Sequence, residues 1–396
     1  MSLRPFLCHA RTDRQRLEAF KAELSVAGAD GWQDVSDLRL GRPSAGETRR
    51  VIAEDAAGFL WLGTPASAGS WFIRRVEIPA ALARAAADAF PVVPVFADLR
   101  PRDLGAPRIS WPRWRASLSR LAAHNGVLRE EGEADELLWQ RAAGAYVRHA
   151  VLARGADPMR VAISCASAPD RTKDIVLDWR GLVGAGRAMD EASPERARGA
   201  LVNLRGAFQE AGVSRIAVSA HLFLPLAVLV GHEWGPITGL ALEVEQRTGT
   251  RTSRVSVDLL AHESGVAIVR APRRGVGPVL VVVSIPEPID GAAERYAEHI
   301  DAQEVITLHA PALLDPAGIG GLARRTAAVL AELSDQGRDK HLLIRGPVSL
   351  AVLIGAAGNP IGRTTVPLWD QDAGYLPGIV LGDGVVSLQR DRLLVA

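Results

Sequence analysis

The chain has very little cysteine: Cys8 and Cys165 are its only two in 396 residues. They stand far apart and neither belongs to a metal-type spacing. That argues against a disulfide framework and a zinc site, and fits a reducing, cytoplasmic setting. Charge of one sign is also lacking. There are 46 basic and 45 acidic residues, for a net charge of +1. So small an imbalance does not predict a duplex nucleic acid or a membrane surface as partner, although it leaves room for a local basic pocket that takes a small anion. Long apolar runs are missing as well. The longest, near residues 222–230 and 279–285, fall far short of the roughly 18 residues that span a bilayer. Residues 1–20 carry Arg4, Arg11, Asp13, Arg14, Arg16 and Glu18, a pattern unlike a signal peptide.

What the chain does have is 48% hydrophobic residues, enough for two or three globular domains with proper cores. The first stretch alternates strand and helix patterns. Residues 5–9 form a short apolar run. Asp13 is placed to cap a helix in which Leu17, Phe20 and Leu24 recur at helical spacing. Residues 32–35 read as a second strand and 39–46 as a turn-rich loop. A helix at 47–56, a strand at 58–62, a long alanine-rich helix at 70–89 and a strand at 90–96 follow, the prolines of the last suggesting a strand end or edge. A further helix is expected over 116–124. Such alternation implies a mainly parallel sheet covered by helices on both faces. The charge run Glu130-Glu-Gly-Glu133 suggests a domain boundary, giving domains at 1–130 and 155–396 joined by a helix within 131–154.

The second part contains an internal repeat. His221-Leu-Phe-Leu-Pro225-Leu-Ala-Val-Leu-Val-Gly231 resembles His341-Leu-Leu-Ile-Arg-Gly-Pro347-Val-Ser-Leu-Ala-Val-Leu-Ile-Gly355. Each follows a long helical segment, at 194–211 or 320–336, and each leads to another extended run, at 238–244 or 364–368. The pattern implies two copies of a strand–loop–apolar-helix–strand unit, with ligands expected at the carboxyl ends of the strands.

Several features of residues 4–125 occur together. They are Phe6-Leu-Cys-His-Ala10 followed by Asp13, Gly31-Trp-Gln-Asp34, the loop Leu40-Gly41-Arg-Pro, Phe59-Leu-Trp-Leu-Gly63-Thr-Pro, and Ser70-Trp71 six residues before Glu77. In this order they resemble the TIR family, which implies a flavodoxin-like α/β domain. In enzymatic TIR domains the Ser/Trp…Glu segment supplies the glutamate needed to cleave NAD, so the resemblance makes Glu77 the candidate catalytic residue. It makes His9, Ala10, Asp34, Arg39, Arg42 and Trp71 candidates for contacting substrate. Cys8-His9-Ala10 stands where family members often have Ser-Tyr-Ser.

The chemistry is consistent with that assignment. Breaking the nicotinamide–ribose bond forms a cation-like sugar and expels a neutral leaving group. A carboxylate that orients the ribose and stabilises positive charge is enough, with no metal or cofactor. Glu77, at Ser70 plus seven, falls two helical turns along the same face. An arbitrary helix glutamate is ordinarily solvated, so this expectation rests on the surrounding motif. Trp61 is read as core packing. Arg39 and Arg42 could meet a diphosphate or simply be solvated, and His9 could be an ordinary strand-end residue.

Residues 155–396 carry Val176-Leu-Asp178-Trp, the His221…Gly231 unit, and His341…Gly346-Pro347…Gly355, with Asn359 and Tyr375 downstream. They resemble the SAVED family of cyclic-oligonucleotide sensors in bacterial anti-phage signalling. The resemblance implies two fused CARF-like, Rossmann-type halves, in keeping with the repeat. Strand-end positions make Ser164, Arg171, Lys173, His221, Phe223, Arg345, Gly346 and Asn359 the candidate cyclic-nucleotide contacts: cations and backbone amides suit phosphate, and an aromatic suits a stacked base. The implied partner is a cyclic oligonucleotide, such as a cyclic triadenylate-like ring, and the implied output is NAD cleavage by subunits that self-associate into an oligomer or filament. A non-enzymatic TIR adaptor is the alternative. A dinucleotide-dependent redox enzyme lacks a G-x-G-x-x-G fingerprint in either half.

Overall fold

The structure, a computed structural model, describes residues 3–31, 44–101, 115–155, 157–183, 189–248, 251–262, 265–312, 314–358, 362–370, 374–382 and 385–388. The expected strand at 32–35, most of the loop at 39–46, and the candidates Asp34, Arg39, Arg42 and Asn359 lie outside the described residues. Packing divides the chain into two compact units. The first comprises Met1–Ala156, Arg171–Leu177 and Gly206–Gly212, and the second Asp157–Asp170, Asp178–Arg205 and Val213–Ala396.

The first unit is built on four parallel strands in the order β1 (Pro5–Cys8), β2 (Gly58–Gly63), β3 (Val92–Phe96) and β4 (Val127–Leu128). The first three are buried throughout, as strands covered on both faces must be. Phe6 stacks on Phe59 at 5.9 Å and Trp61 meets Phe96 edge-on at 5.9 Å, so Trp61 is core packing, as expected. β3 is an inner strand, contrary to the reading of its prolines. It tolerates Pro94 because the two-residue β4 pairs only with Val95 and Phe96. Helix Asp135–Arg154 belongs to this unit. It packs on helix Arg14–Ala27 through Trp139 against Phe20 at 5.3 Å. Arg16 ties the two helices together, reaching both Asp135 (3.1 Å) and Asp98 (2.5 Å).

Two local expectations are corrected. Asp13 does not cap helix Arg14–Ala27. Its φ/ψ of −91°/9° continues a 3-10 turn over Arg11–Asp13, whereas capping needs an extended backbone. Its carboxylate instead accepts a 2.7 Å hydrogen bond from Thr64 Oγ1. The helix expected over 70–89 is also not continuous. A short helix, Pro65–Gly69, ends at an extended Ser70; a wide π-type turn spans Ile73–Glu77; and a regular helix resumes over Ile78–Ala87. The wide turn adds a residue per turn, so Glu77 does not follow Ser70 on a common α-helical face.

The second unit contains strands from two sheets. β5 (Met159–Ser164), β7 (Arg215–His221) and β8 (Ala241–Thr248) run parallel in that spatial order, with β9 (Arg251–Ser256) antiparallel to β8. Between β5 and β7 in sequence lies β6 (Ile175–Asp178), whose first three residues count with the first unit. The other sheet has the order β10 (Ile268–Pro272), β12 (Ala302–His309), β11 (Gly277–Ser284), β13 (Lys340–Arg345), β14 (Thr364–Asp370), β15 (Gly374–Gly382) and β16 (Val385–Leu388). Within it β11, β13 and β14 are parallel neighbours and β15 is antiparallel to β14. The run β5-β7-β8-β9 is thus repeated as β11-β13-β14-β15, so the repeat read in the sequence is a repeat of structure.

Each copy carries an apolar helix after its second strand, Leu224–Trp234 or Val348–Ala357. The two helices pack backbone to backbone. A Cβ on Gly231 would lie 1.8 Å from Val352 O, and one on Gly355 would lie 2.1 Å from Val228 O. Both glycines are the eighth residue of their helix and both carbonyls belong to the fifth, so equivalent positions exchange the contact. Glu233 fixes the end of the first helix. Its buried carboxylate receives Arg198 Nε (3.0 Å) and Arg205 Nη1 (2.9 Å), while Trp234 Nε1 donates to Leu201 O (3.0 Å).

Candidate functional site

In the first unit the described candidates lie on the stretches of chain that follow β1 and β2, whose carboxyl ends are where parallel α/β sheets place their ligands. His9 and Ala10 follow β1 directly and are half-buried; His9 Nδ1 lies 3.1 Å from Leu7 O. Beyond β2, Thr64 and Ser67 form a reciprocal capping box at the start of helix Pro65–Gly69. Ser67 Oγ also donates to Leu62 O at 2.6 Å. Together with the Thr64–Asp13 bond, this ties the turn after β1 to the end of β2.

The chain then enters the Ser-Trp…Glu segment. Ser70 O accepts from Arg74 Nε (3.1 Å) and Gly69 O from Arg74 Nη2 (2.9 Å). Arg74 is buried, and burial pulls its guanidinium below the usual arginine range. Trp71 is 60% exposed, with the Arg75 guanidinium 5.9 Å from its ring centre. Glu77 closes the wide turn and is only 4% exposed. It is therefore not the solvated helix glutamate that an arbitrary position would have been. Helix Ser44–Arg50 packs on the same turn and brings Glu47, a second buried carboxylate, bound by Arg50 Nη2 at 2.8 Å. Sequence reasoning passed over Glu47 because an isolated glutamate in a short helix carries no signal. Among the described residues no cluster of His, Cys, Asp and Glu could hold a metal, and no helix is long and apolar enough to cross a membrane.

In the second unit the repeat brings four strand ends into matched pairs. Ser164 of β5 is in register with His221 of β7, and Ser284 of β11 with Arg345 of β13. Ser164 is buried and its Oγ donates to Ser167 O at 2.6 Å, while Ser167 Oγ lies 3.0 Å from His221 Nδ1. Phe223 is half-buried at the start of helix Leu224–Trp234, and its N–H donates to Cys165 Sγ at 3.3 Å. In the other half Ser284 Oγ lies 2.9 Å from His309 Nδ1. Arg345 is exposed, ion-paired with Glu287, and donates to Pro288 O at 3.3 Å. Gly346 follows it and leads into helix Val348–Ala357, whose first turn lacks a side-chain cap and whose Leu350 N–H donates to Pro347 O at 3.0 Å. Ser349 Oγ, in that turn, donates to Gln246 of β8.

Ser284 and His309 were missed by sequence reasoning. The signal was present: Val161-Ala-Ile-Ser164 followed by Asp170 matches Val281-Val-Val-Ser284 followed by Asp290, an extension of the repeat upstream of its helices. Arg171 and Lys173 are placed differently from the other candidates. Both lie on Arg171–Leu177 of the first unit, where Arg171 pairs with Asp30.

Matched polar strand ends beside uncapped helix N-termini, in a unit built from two like halves, agree with a comparison of the sequence with known families. Residues 201–381 match the family described as "SMODS-associated and fused to various effectors sensor domain", SAVED. Residues 201–381 therefore carry a SAVED domain. No curated protein matches the chain. Among solved structures the chain is similar to the Acinetobacter baumannii Cap4 SAVED/CARF-domain containing receptor with the cyclic trinucleotide 2'3'3'-cAAA, at 13% identity over 85% of each chain and a TM-score of 0.49. It is similar to the same receptor with 3'3'3'-cAAA, at 14% identity over 84% of each chain and a TM-score of 0.48. The Moraxella osloensis Cap4 SAVED/CARF-domain containing receptor matches at 12% identity over 87% of this chain and 82% of that one, with a TM-score of 0.44. The SAVED match begins at residue 201, so Ser164 lies upstream of it.

Proposed function

We propose that this chain is an anti-phage effector that cleaves NAD when its SAVED domain binds a cyclic oligonucleotide. The sensing half of the reading is supported by the SAVED match together with the paired strand ends. Arg345 and the uncapped helix after Gly346 suit a ring phosphate, and Phe223 suits a base. The cyclic trinucleotides named with the Cap4 receptors make a cyclic triadenylate the first ligand to try.

The enzymatic half rests on one observation above the others, the burial of Glu77 on a wide turn directly after the exposed Trp71. A carboxylate held out of bulk water stabilises the developing ribose cation more strongly than a solvated one. Expulsion of neutral nicotinamide needs no acid, and water completes the hydrolysis. His9, Ala10 and Trp71 belong to the substrate side of this site, with Asp34, Arg39 and Arg42 from the loop. The output is assembly. Subunits brought together by ligand complete each other's TIR sites, and a head-to-tail contact that does not close yields a filament. The activator must then favour the assembled form, because equal affinity would shift nothing.

The test is nicotinamide release from the full chain across a panel of cyclic di-, tri- and tetranucleotides, with light scattering in parallel. Release is expected for one ring size, together with a rise in scattering. Glu77→Gln is expected to lower release by at least about a hundredfold with ligand binding and circular dichroism unchanged. Near-normal turnover in that variant removes Glu77 from the site, and no release with any ring removes the enzyme.

A further inference from the structure

The two halves of the second unit differ in how their last strand pair closes. In the first half β8 and β9 end with Arg247 in register with Thr252 and Thr248 with Arg251. In the second half, at the equivalent end of β14 and β15, Trp369 is in register with Tyr375. Residues directly opposite one another in an antiparallel pair share a face of the sheet, and these two rings meet edge to face with their centres 4.8 Å apart.

The pair is the outer end of a fixed row of rings. Tyr375 lies against Tyr296 of helix Asp290–His299, with ring centres 4.7 Å apart. Tyr296 is buried in one cluster with Leu280, Val282 and Leu343, and its hydroxyl lies 2.7 Å from His341 Nδ1 of β13. Exposure rises along the row: Tyr296 is buried, Tyr375 half-buried and Trp369 41% exposed. A ring held by its neighbours has little freedom to lose when another ring stacks on it.

Positive charge lies beside these rings. Burial pushes the Tyr375 hydroxyl above the usual tyrosine range, and the nearby guanidinium charges of Arg295 and Arg345 act on it in the opposite sense. Arg345 is ion-paired with Glu287, whereas Arg295 is exposed and forms no ion pair among the described residues. A flat aromatic face flanked by cations is suited to a nucleobase and its phosphate.

We propose that Trp369, backed by Tyr375, is the platform on which one purine base of the cyclic oligonucleotide stacks, with Arg295 and Arg345 holding the adjoining phosphate. A purine is favoured because its two fused rings cover more of the indole than a pyrimidine does. The proposal deepens the sensing reading of the second unit and rests on it. It gives the second half a base-reading side chain of its own, as Phe223 is in the first.

The test is titration calorimetry on the full chain with cyclic triadenylate and cyclic triuridylate, for wild type, Trp369→Leu and Trp369→Phe, each confirmed folded by circular dichroism. Leucine keeps apolar bulk over Tyr375 but offers no flat face, so a merely structural role survives it, while phenylalanine keeps the face. Trp369→Leu is expected to weaken cyclic triadenylate binding about tenfold or more, and Trp369→Phe to stay within about threefold of wild type. Wild type is expected to prefer the adenine ring, and Trp369→Leu to narrow that preference. Unchanged binding in Trp369→Leu overturns the platform, as does a Trp369→Phe variant that loses as much as the leucine one. A wild type without preference for the adenine ring overturns the purine assignment. A wild type that binds neither ring fails the sensing reading itself and takes the platform with it, an outcome distinct from a wild type that binds while Trp369→Leu binds equally well.

Discussion

The two halves of the second unit agree in their interior and differ at their rims. Inside, the strand order, the apolar helices and the glycine contact recur at equivalent positions. At the strand ends both halves keep a buried serine, Ser164 or Ser284, and what differs is the exposed residue in register with it, His221 in one half and Arg345 in the other. The contrast has a physical basis. A buried helix crossing tolerates almost no change in volume, so both copies must keep the same residues there. A solvated strand end has no such constraint and is free to specialise. The repeated interior is the scaffold, and the halves differ where a ligand would be read.

The largest effect should come from breaking what the halves share. Gly231→Ala and Gly355→Ala each push a methyl into a carbonyl of the opposing helix, and each is expected to cost about 3 kcal/mol, the upper end of overpacking penalties. Urea denaturation of the two variants should give similar losses. A well-tolerated alanine at either position would show that the helices can separate and that the crossing is not a fixed contact.

Breaking what the halves do not share should give unequal results. Arg345→Ala removes a charged donor from a phosphate and is expected to weaken cyclic triadenylate binding about ten- to hundredfold. His221→Ala, which removes only a ring at the rim, should weaken it by less than about tenfold. Titration calorimetry on both decides the order, and equal losses would mean that the two rims contribute alike.

The smallest effect is one of acidity. His232 sits next to Gly231 in the crossing helix, and burial holds its imidazole below the ordinary histidine range. The equivalent position in the other helix is Ala356. A histidine kept neutral by folding binds protons less readily than in the unfolded chain. Its stabilisation is therefore complete above the unfolded value of about 6.5 and declines as pH falls through it. Thermal melts between pH 7.5 and 5.5 (on the order of two units, spanning that value) should show a steeper decline for wild type than for His232→Ala. Parallel declines would assign the acid sensitivity elsewhere.

These contrasts also show what was legible in the sequence. The alternation of elements, the repeat and the packing of Trp61 all follow from periodic apolar residues, which leave a local signal. The break between Ser70 and Ile78 does not, because a wide turn keeps the same composition as the helix it interrupts. Asp13 looked like a cap because capping is local, whereas its partner Thr64 lies 51 residues away. The pairing of Arg171 with Asp30 leaves no local signal either, because the two lie far apart in sequence. Ser284 leaves a fainter signal, because the apolar helices dominate the repeat, although the strand 161–164 matches 281–284 too. Asp34, Arg39, Arg42 and Asn359 lie outside the described residues.

The glycine crossing has one more consequence. Most helix pairs meet through side chains, which act as a compliant layer and let one helix rock without the other. At Gly231 and Gly355 that layer is missing, and peptide groups bear directly on peptide groups. The joint is stiff, like a bearing with no clearance. Displacement of one helix, from whichever rim it starts, is handed to the other undiminished, so the two rims report as a single lever and a ligand need grip only one of them firmly.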